Sequence, residues 1–300
     1  MMISVVVPVY NSCRSLSELY SRLVPVLNEL ADTWEIIMVD DASHDDSYRV
    51  MKTIRQADRR VKLISLEENA GQHHATLCGL RYSFGQYVVT IDDDLQTPPE
   101  EIPLLMAEIQ KDHDVVFGIP REKQHQVYRN WGSRGIDRII NTIFPHAAGI
   151  RRSSFRIMTR ELVDRMLQQV RTPVYMAALI LTHSQQPGQV EVEHHQRKYG
   201  HSNYTVVKTL VMTRNLLINY SWLPLKWAAG LWGLWSLAAI SWLPANRLDS
   251  WAAAGIVSII ILVIGILLAL ITLWLGWEYW LRWERGKRYI PPYVIRSIEM

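Results

Sequence analysis

From Trp251 to Trp277 the chain runs 27 residues without a charge, and fifteen of them are Ile, Leu or Val. A bilayer core needs about 20 apolar residues, and at roughly 0.4 kcal/mol per Ile, Leu or Val this run supplies about 6 kcal/mol toward insertion. It reads as a transmembrane helix, which sets the rest of the chain beside a membrane. Upstream, Trp222 to Pro244 carries Lys226 as its only charge, diluted by Gly230, Gly233 and several Ala. That stretch is expected to be a second span, with an interfacial or re-entrant segment as the alternative. Lys226 lies near its end, where a long stem can reach the headgroups, and Trp222, Trp227, Trp242, Trp251, Trp277 and Trp280 fall where aromatic belts belong. The link 245–250 would close a two-helix transmembrane hairpin, spans 222–244 and 251–277. In the segment 278–300, Arg282, Arg285, Lys287 and Arg288 outnumber Glu278 and Glu284, while the link holds one Arg and one Asp. Cytoplasmic loops carry the excess of Lys and Arg, so this basic tail, and by hairpin parity the amino-terminal part, is expected in the cytoplasm.

The amino-terminal part is a different material. Ten of the twelve Trp lie after residue 220, whereas residues 1–220 hold 25 Lys and Arg against 25 Asp and Glu. With a net charge of +3 and no single-sign block there, nothing marks a surface for duplex nucleic acid. Two cysteines, Cys13 and Cys78, make neither a disulfide framework nor a zinc cluster, and Met1 to Tyr10 runs into a strand pattern without a signal peptide. A reducing cytoplasm is the expected setting. Between the two parts, residues 204–221 place Val207, Leu210, Val211, Leu217 and Ile218 on one side of a helix, with Lys208 and Arg214 elsewhere. This reads as a helix lying at the membrane surface in preference to a core helix.

Within residues 1–203, apolar runs recur at Ile3–Val9, Glu35–Val39, Val61–Leu66, Tyr87–Ile91 and Val115–Gly118, with helical stretches between them. Runs apolar throughout suit strands covered on both faces, and intervening helices imply parallel crossovers. The expected fold is α/β, a doubly wound, mostly parallel sheet. Helix starts are legible at Ser15 with Glu18, a capping-box spacing, and at Thr97 followed by Pro98, Pro99, Glu100 and Glu101.

Ligands of such sheets sit at the carboxyl ends of the strands. Here those ends read Pro8-Val9-Tyr10-Asn11, Asp40-Asp41, Glu67-Glu68-Asn69 and Asp92-Asp93-Asp94-Leu95-Gln96. A single Asp after a strand commonly caps a helix, but acids at three successive strand ends repel one another unless a cation joins them. Oxygen ligands suit a hard cation such as Mg²⁺ or Mn²⁺. If the fourth strand continues through Asp92-Asp93-Asp94, the first and third point the same way and form a two-carboxylate clamp, with the Gln96 amide oxygen as a further ligand. No Gly-rich dinucleotide fingerprint or Walker loop follows any strand. A metal bridging diphosphate oxygens is the other common solution, and it points to a nucleoside-diphosphate donor.

These segments, with Val39-Asp40-Asp41-Ala42-Ser43, Asn69-Ala70-Gly71-Gln72 and Asp92-Asp93-Asp94-Leu95-Gln96-Thr97-Pro98-Pro99-Glu100, resemble family 2 glycosyltransferases of the GT-A fold. More narrowly they resemble the polyprenyl-phosphate branch, which includes dolichyl-phosphate mannose synthases and bacterial undecaprenyl-phosphate sugar transferases. The resemblance continues through 129–134, Ser153-Ser154-Phe155-Arg156, Arg197-Lys198-Tyr199-Gly200-His201-Ser202 and the two closing spans. Within the branch, the 69–72 segment and the tail are most similar to bacterial enzymes that load an aminoarabinose sugar onto undecaprenyl phosphate.

The resemblance implies an inverting transfer from a nucleotide sugar, uracil being the implied base, to a polyprenyl phosphate, for cell-envelope glycan or lipid modification. It also implies a multi-pass location in the bacterial inner membrane and allows a homo-oligomer. Pro8, Tyr10, Asn11, Asp40 and Asp41 would cradle the nucleoside, with Gln72 and Asp93 also on the donor side. Asp92, Asp94 and Gln96 would hold the metal and diphosphate. Arg129, Ser133, Arg134, Arg197 and Lys198 would face the phosphates of donor and lipid, a role that Arg suits by its fork of donors. Three positions depart from the family pattern: Ser12 where Glu usually follows Tyr-Asn, Ile150-Arg151-Arg152 where an acid often precedes Phe-Arg, and Ser153-Ser154 where Ser-Gly or Gly-Cys is usual. No general base is named by the motifs. A processive synthase would carry Gln-x-x-Arg-Trp, but Asn130 separates Arg129 from Trp131. A carbohydrate acceptor, or a non-catalytic scaffold or flippase subunit, are the alternatives. No readable code for the sugar lies in 67–72 or 119–128.

Overall fold

The computed structural model describes residues 1–121, 140–170, 174–195, 217–218, 220, 221–245, 251–286, 291 and 293–300. It divides into two compact units, 1–204 with 289–300, and 205–288.

In the first unit, five apolar runs form the expected strands: β1 (Met2–Val9), β2 (Thr33–Asp40), β3 (Val61–Leu66), β4 (Tyr87–Thr90) and β5 (Val115–Pro120). Three more, β6 (Arg156–Thr159), β7 (Pro187–Val192) and β8 (Ile295–Glu299), complete one sheet of order β7-β5-β6-β4-β1-β2-β3-β8. β1 pairs in parallel with β2 and β4, β2 with β3, and β5 with β7, while β6 and β8 run against their neighbours. The sheet is therefore mixed, and mostly parallel as expected.

The helices α1 (Leu16–Leu30), α2 (Ser47–Ala57), α3 (Gln72–Arg81), α4 (Ile102–Ile109), α5 (Arg160–Gln168) and α6 (Met176–His183) connect the strands. Ile3, Val5, Val7 and Val9 pack with Leu16, Leu19, Leu23 and Leu27 of α1 and with Leu105 and Ile109 of α4 in one core. Val6 and Val39 point the other way, toward α3. A Cβ on Gly79 would lie 2.4 Å from Val6 Cγ1 and 3.2 Å from Val39 Cγ2, so glycine lets α3 sit directly on β1 and β2. Both faces are covered, which is why these strands read as unbroken apolar runs.

Away from the carboxyl ends of the strands, Glu35 is buried on β2. It accepts from Ser4 Oγ at 2.6 Å and Phe84 N at 2.7 Å and pairs with Lys62 Nζ at 2.6 Å. Ser4 Oγ in turn accepts from Gly85 N at 2.7 Å. This network pins the 83–86 turn that feeds β4.

The capping box at Ser15 does not form. Ser15 occupies the N-cap position with helical dihedrals and no side-chain cap bond, and its hydroxyl donates instead to the carbonyls of Ser12 and Asp93. Glu18 pairs with Arg22 at 3.6 Å. The hydroxyl is drawn away by the acid turn, which ties the start of α1 to it.

In the second unit, α7 (Leu223–Ala245) and α8 (Trp251–Gly286) pack antiparallel. The Trp222 and Tyr279 rings stack at 4.7 Å, Trp232 Nε1 donates to Thr272 Oγ1 at 2.9 Å, and Trp235 Nε1 donates to the Ile261 carbonyl at 3.2 Å. A Cβ on Gly265 would lie 2.6 Å from the Trp235 ring. Outward, Leu234, Leu237, Leu262 and Leu273 are 61–70% exposed. Among the described residues one stretch, Ile259–Leu281, is long and apolar enough to cross a membrane. The expected tail 278–300 starts as the last turns of α8 and ends in β8, back in the sheet of the first unit.

Candidate active site

The carboxyl ends of β1, β2 and β4 each turn through a non-glycine residue in the left-handed region: Asn11 (φ 54°), Ala42 (φ 55°) and Leu95 (φ 59°). Ala and Leu adopt this conformation only at a cost of roughly 1–2 kcal/mol, and such residues cluster where function requires them. Three on one sheet edge mark the same edge that the strand-end acids single out.

At the first two ends the loops hold each other. Asn11 N donates to Ser43 Oγ at 3.0 Å, and Asn11 Oδ1 accepts from His44 N at 2.8 Å. Tyr10 is 40% exposed at the mouth, its ring edge-on to His44 at 6.4 Å, whereas Pro8 is buried within β1 opposite Val39. Asp40 and Asp41 are each 3% exposed. Asp40 accepts from Ser43 N at 3.1 Å and Ser65 Oγ at 3.3 Å, and Asp41 accepts from Ala70 N at 2.7 Å and Gly71 N at 2.9 Å. Burial pushes the Asp41 carboxyl up, against those two backbone donors. Gly71 takes φ 87°, a left-handed conformation natural only to glycine, and so presents the amide to Asp41.

β4 stops at Thr90, and residues 91–97 form a turn, so the alternation of a continuing strand does not order the three aspartates. Each is instead aimed by its own partners. Asp92 Oδ1 accepts from Gln72 Nε2 at 2.6 Å and Oδ2 from Ser154 Oγ at 2.6 Å. Asp93 Oδ2 accepts from Tyr10 N at 3.0 Å, and Asp94 Oδ1 from Gln96 N at 3.0 Å. Burial raises Asp92, with the Ser154 hydroxyl opposing, and raises Asp93 to about 7 against donors from Ser12 and Tyr10. The adjoining carboxylates raise both further.

β7 brings two residues to this turn that the sequence reading passed over. His195 N donates to the Gln96 carbonyl at 2.7 Å, and His194, held below its ordinary value by burial, feels the charge of Asp94. The signal was the Glu193-His194-His195 run directly after an alternating stretch. Thr90, buried behind Asp92, was missed as well, and Arg156 beside it was quoted only as part of a motif, without a role. Arg129, Ser133, Arg134, Arg197 and Lys198 lie outside the described residues.

The Asp92 and Asp94 carboxylates at the turn are oxygen donors, and with the Gln96 amide oxygen expected from the sequence they make the kind of set that suits a hard divalent cation. Among the described residues no three His, Cys, Asp or Glu side chains gather closely enough to form a metal cage alone. Mg²⁺-type sites built from one or two carboxylates take their remaining ligands from substrate phosphates and water, so a partial set is the expected form.

The model of glycosyl transferase family 2 matches residues 4–167. The chain belongs to this family. It is a glycosyltransferase, and the resemblance to the polyprenyl-phosphate branch is upheld by its relatives. An undecaprenyl-phosphate 4-deoxy-4-formamido-L-arabinose transferase of Proteus mirabilis is 34% identical over 225 residues, 75% of this chain and 69% of the relative. That of Salmonella choleraesuis is 31% identical over 261 residues, 85% of this chain and 80% of the relative. Among solved structures, a mycobacterial protein superposes with TM-score 0.54 at 20% identity, covering 72% of each chain. Glucosyl-3-phosphoglycerate synthase from Mycobacterium tuberculosis, in complex with Mn²⁺ and UDP-glucose, gives TM-score 0.50 at 20% identity, covering 72% of this chain and 77% of its own. These likenesses establish the GT-A-like mixed α/β sheet.

Proposed function

We propose that this family 2 glycosyltransferase moves a sugar from a nucleoside-diphosphate donor, with uridine as the nucleoside, to undecaprenyl phosphate. The observation that carries this reading is the convergence of Tyr10, Asn11, Asp40, Asp41 and the 92–96 turn on one sheet edge. The chain around that edge is matched by relatives named as transferases onto undecaprenyl phosphate.

The loops after β1 and β2 would receive the nucleoside, with the buried Asp40 and Asp41 holding those loops in shape. Asp92, Asp94 and Gln96 would hold Mg²⁺ or Mn²⁺, which supplies positive charge to the departing diphosphate. Gln72 keeps Asp92 directed. Arg129, Arg134, Arg197, Lys198 and Ser133 are proposed to bind the phosphates of donor and lipid. A phosphate monoester has its second pKa near 6 and is mostly dianionic at neutral pH, so this acceptor needs positioning more than deprotonation. Attack at the anomeric carbon in a single displacement inverts its configuration.

The proposed layout is a cytoplasmic catalytic domain (1–203), a surface helix (204–221), two spans (222–244 and 251–277) and a segment returning to the cytoplasm, in a bacterial inner membrane. β8 supports the second span. It pairs with β3 in the sheet that β1 to β4 build, so both ends of the 205–288 unit join one domain. A chain that leaves and re-enters the same domain crosses the bilayer an even number of times. With α8 crossing once, α7 crosses too.

The test offers the purified full chain a panel of UDP-sugars with undecaprenyl phosphate or dephosphorylated undecaprenol, read by mass spectrometry of the lipid. Product on the phosphate alone is expected. Equal transfer to both, or transfer only to a soluble sugar, refutes the acceptor assignment.

A further inference from the structure

β6 enters the sheet with Arg156 opposite Thr90, the last residue of β4. Both are buried, at 4% and 2% exposure. A continuous run of donors leads from the guanidinium to the acid turn: Arg156 Nε donates to Thr90 Oγ1 at 3.1 Å, the Thr90 hydroxyl to the Ser154 carbonyl at 2.5 Å, and the Ser154 hydroxyl to Asp92 Oδ2 at 2.6 Å. Asp92 acts on the buried guanidinium through its charge as well. With Gln72 on the other oxygen, the Asp92 carboxylate is gripped from α3 on one side and from the β6 entry on the other. Buried charge is retained only at considerable desolvation cost, and here it stands directly behind the acid turn.

From this geometry we infer that Ser154, braced by Thr90 and Arg156, is a positioning residue that aims the Asp92 carboxylate at the divalent cation. The inference rests on the proposed metal role of Asp92. Groups that orient a ligating side chain typically change metal affinity by about 10–100-fold when removed.

The experiment measures Mn²⁺ affinity of the full-length chain in detergent with UDP present, from the free-Mn²⁺ paramagnetic resonance signal, alongside the melting temperature. Ser154→Ala is expected to weaken Mn²⁺ about 10–100-fold with little change in melting, and Ser154→Thr, which keeps the hydroxyl, to recover most of the loss. Ser154→Gly repeats the comparison should the Ala variant fold poorly. Asp92→Asn separates the two claims. Wild-type affinity in Ser154→Ala and Ser154→Gly with affinity lost in Asp92→Asn overturns the positioning role alone. Wild-type affinity in Asp92→Asn overturns the metal reading and the inference with it.

Discussion

Asp93→Asn is expected to stabilise the protein at pH 8 and to do so by less than half as much near pH 5. The Asp93 carboxyl is raised from 3.8 to about 7, burial being the largest cause, and the Tyr10 N–H at 3.0 Å and Ser12 only partly offset it. Because the folded-state value exceeds the unfolded one, the native state binds the proton more tightly. Stability is therefore full below about pH 4 and falls as pH rises toward 7. At 1.36 kcal/mol per unit the complete shift amounts to about 4 kcal/mol, and the partial solvent access of the turn reduces this to about 2 kcal/mol. Asn keeps an oxygen for the Tyr10 N–H and carries no charge, so it removes the penalty and retains the hydrogen bond. A domain near 200 residues gains about 2–4 °C per kcal/mol, giving about 4–8 °C at pH 8 and about two-fifths of that at pH 5, which lies above the unfolded value but well below the folded one. The assay is a thermal scan of full-length wild type and variant in detergent with EDTA at both pH values, at one scan rate. Equal shifts at the two pH values, or destabilisation at pH 8, would refute the assignment of a buried, proton-holding carboxyl to Asp93.

Asp92→Asn or Asp94→Asn should lower turnover roughly a thousandfold, as expected for losing several kcal/mol of charge stabilisation, and EDTA should do the same reversibly with Mn²⁺ or Mg²⁺. Full turnover in chelator would remove the metal from the reaction. Reporters fused before Met1 and after Met300 should both sit in the cytoplasm while a tag within 245–250 is reachable from outside; an external carboxyl terminus would contradict both the two-span layout and the pairing of β8 with β3. Glu35→Ala strands the Lys62 ammonium, 17% exposed, and leaves the Phe84 N–H without its acceptor, so a loss of about 3–5 kcal/mol is expected in a thermal scan. A shift under 1 kcal/mol would show that the network at that end of the sheet is solvated.

The first five strands were legible because each is covered on both faces and carries its burial in its composition. β6 was not, since Arg156-Ile157-Met158-Thr159 opens on a charged residue whose burial depends on Thr90, 66 positions away. β7 alternates around Pro187 and Gly188, the pattern of a half-solvated strand at the sheet edge, and β8 lies beyond the apolar helices, where charge counting described only a tail. The failed capping box at Ser15 has a related cause: local spacing favours a cap, but the Asp93 carbonyl competes for the same hydroxyl.

The same division runs through the site. Residue types at strand ends were readable, because any ligand of a parallel sheet meets those ends. Which oxygen of which carboxylate is free to face a ligand was not readable, because that is decided by partners far away in sequence: Gln72 and Ser154 for Asp92, Tyr10 for Asp93. The left-handed turns at Ala42 and Leu95 show what holds these directions in place. An alanine or leucine at positive φ persists only where surrounding contacts over-determine the backbone. Asp41 clasped by Ala70 and Gly71, and Ser15 bound to Asp93, are contacts of that kind. The loops at this edge are therefore shaped by contacts within the chain itself, and a cation bound at the acid turn, as proposed above, would meet carboxylates already aimed.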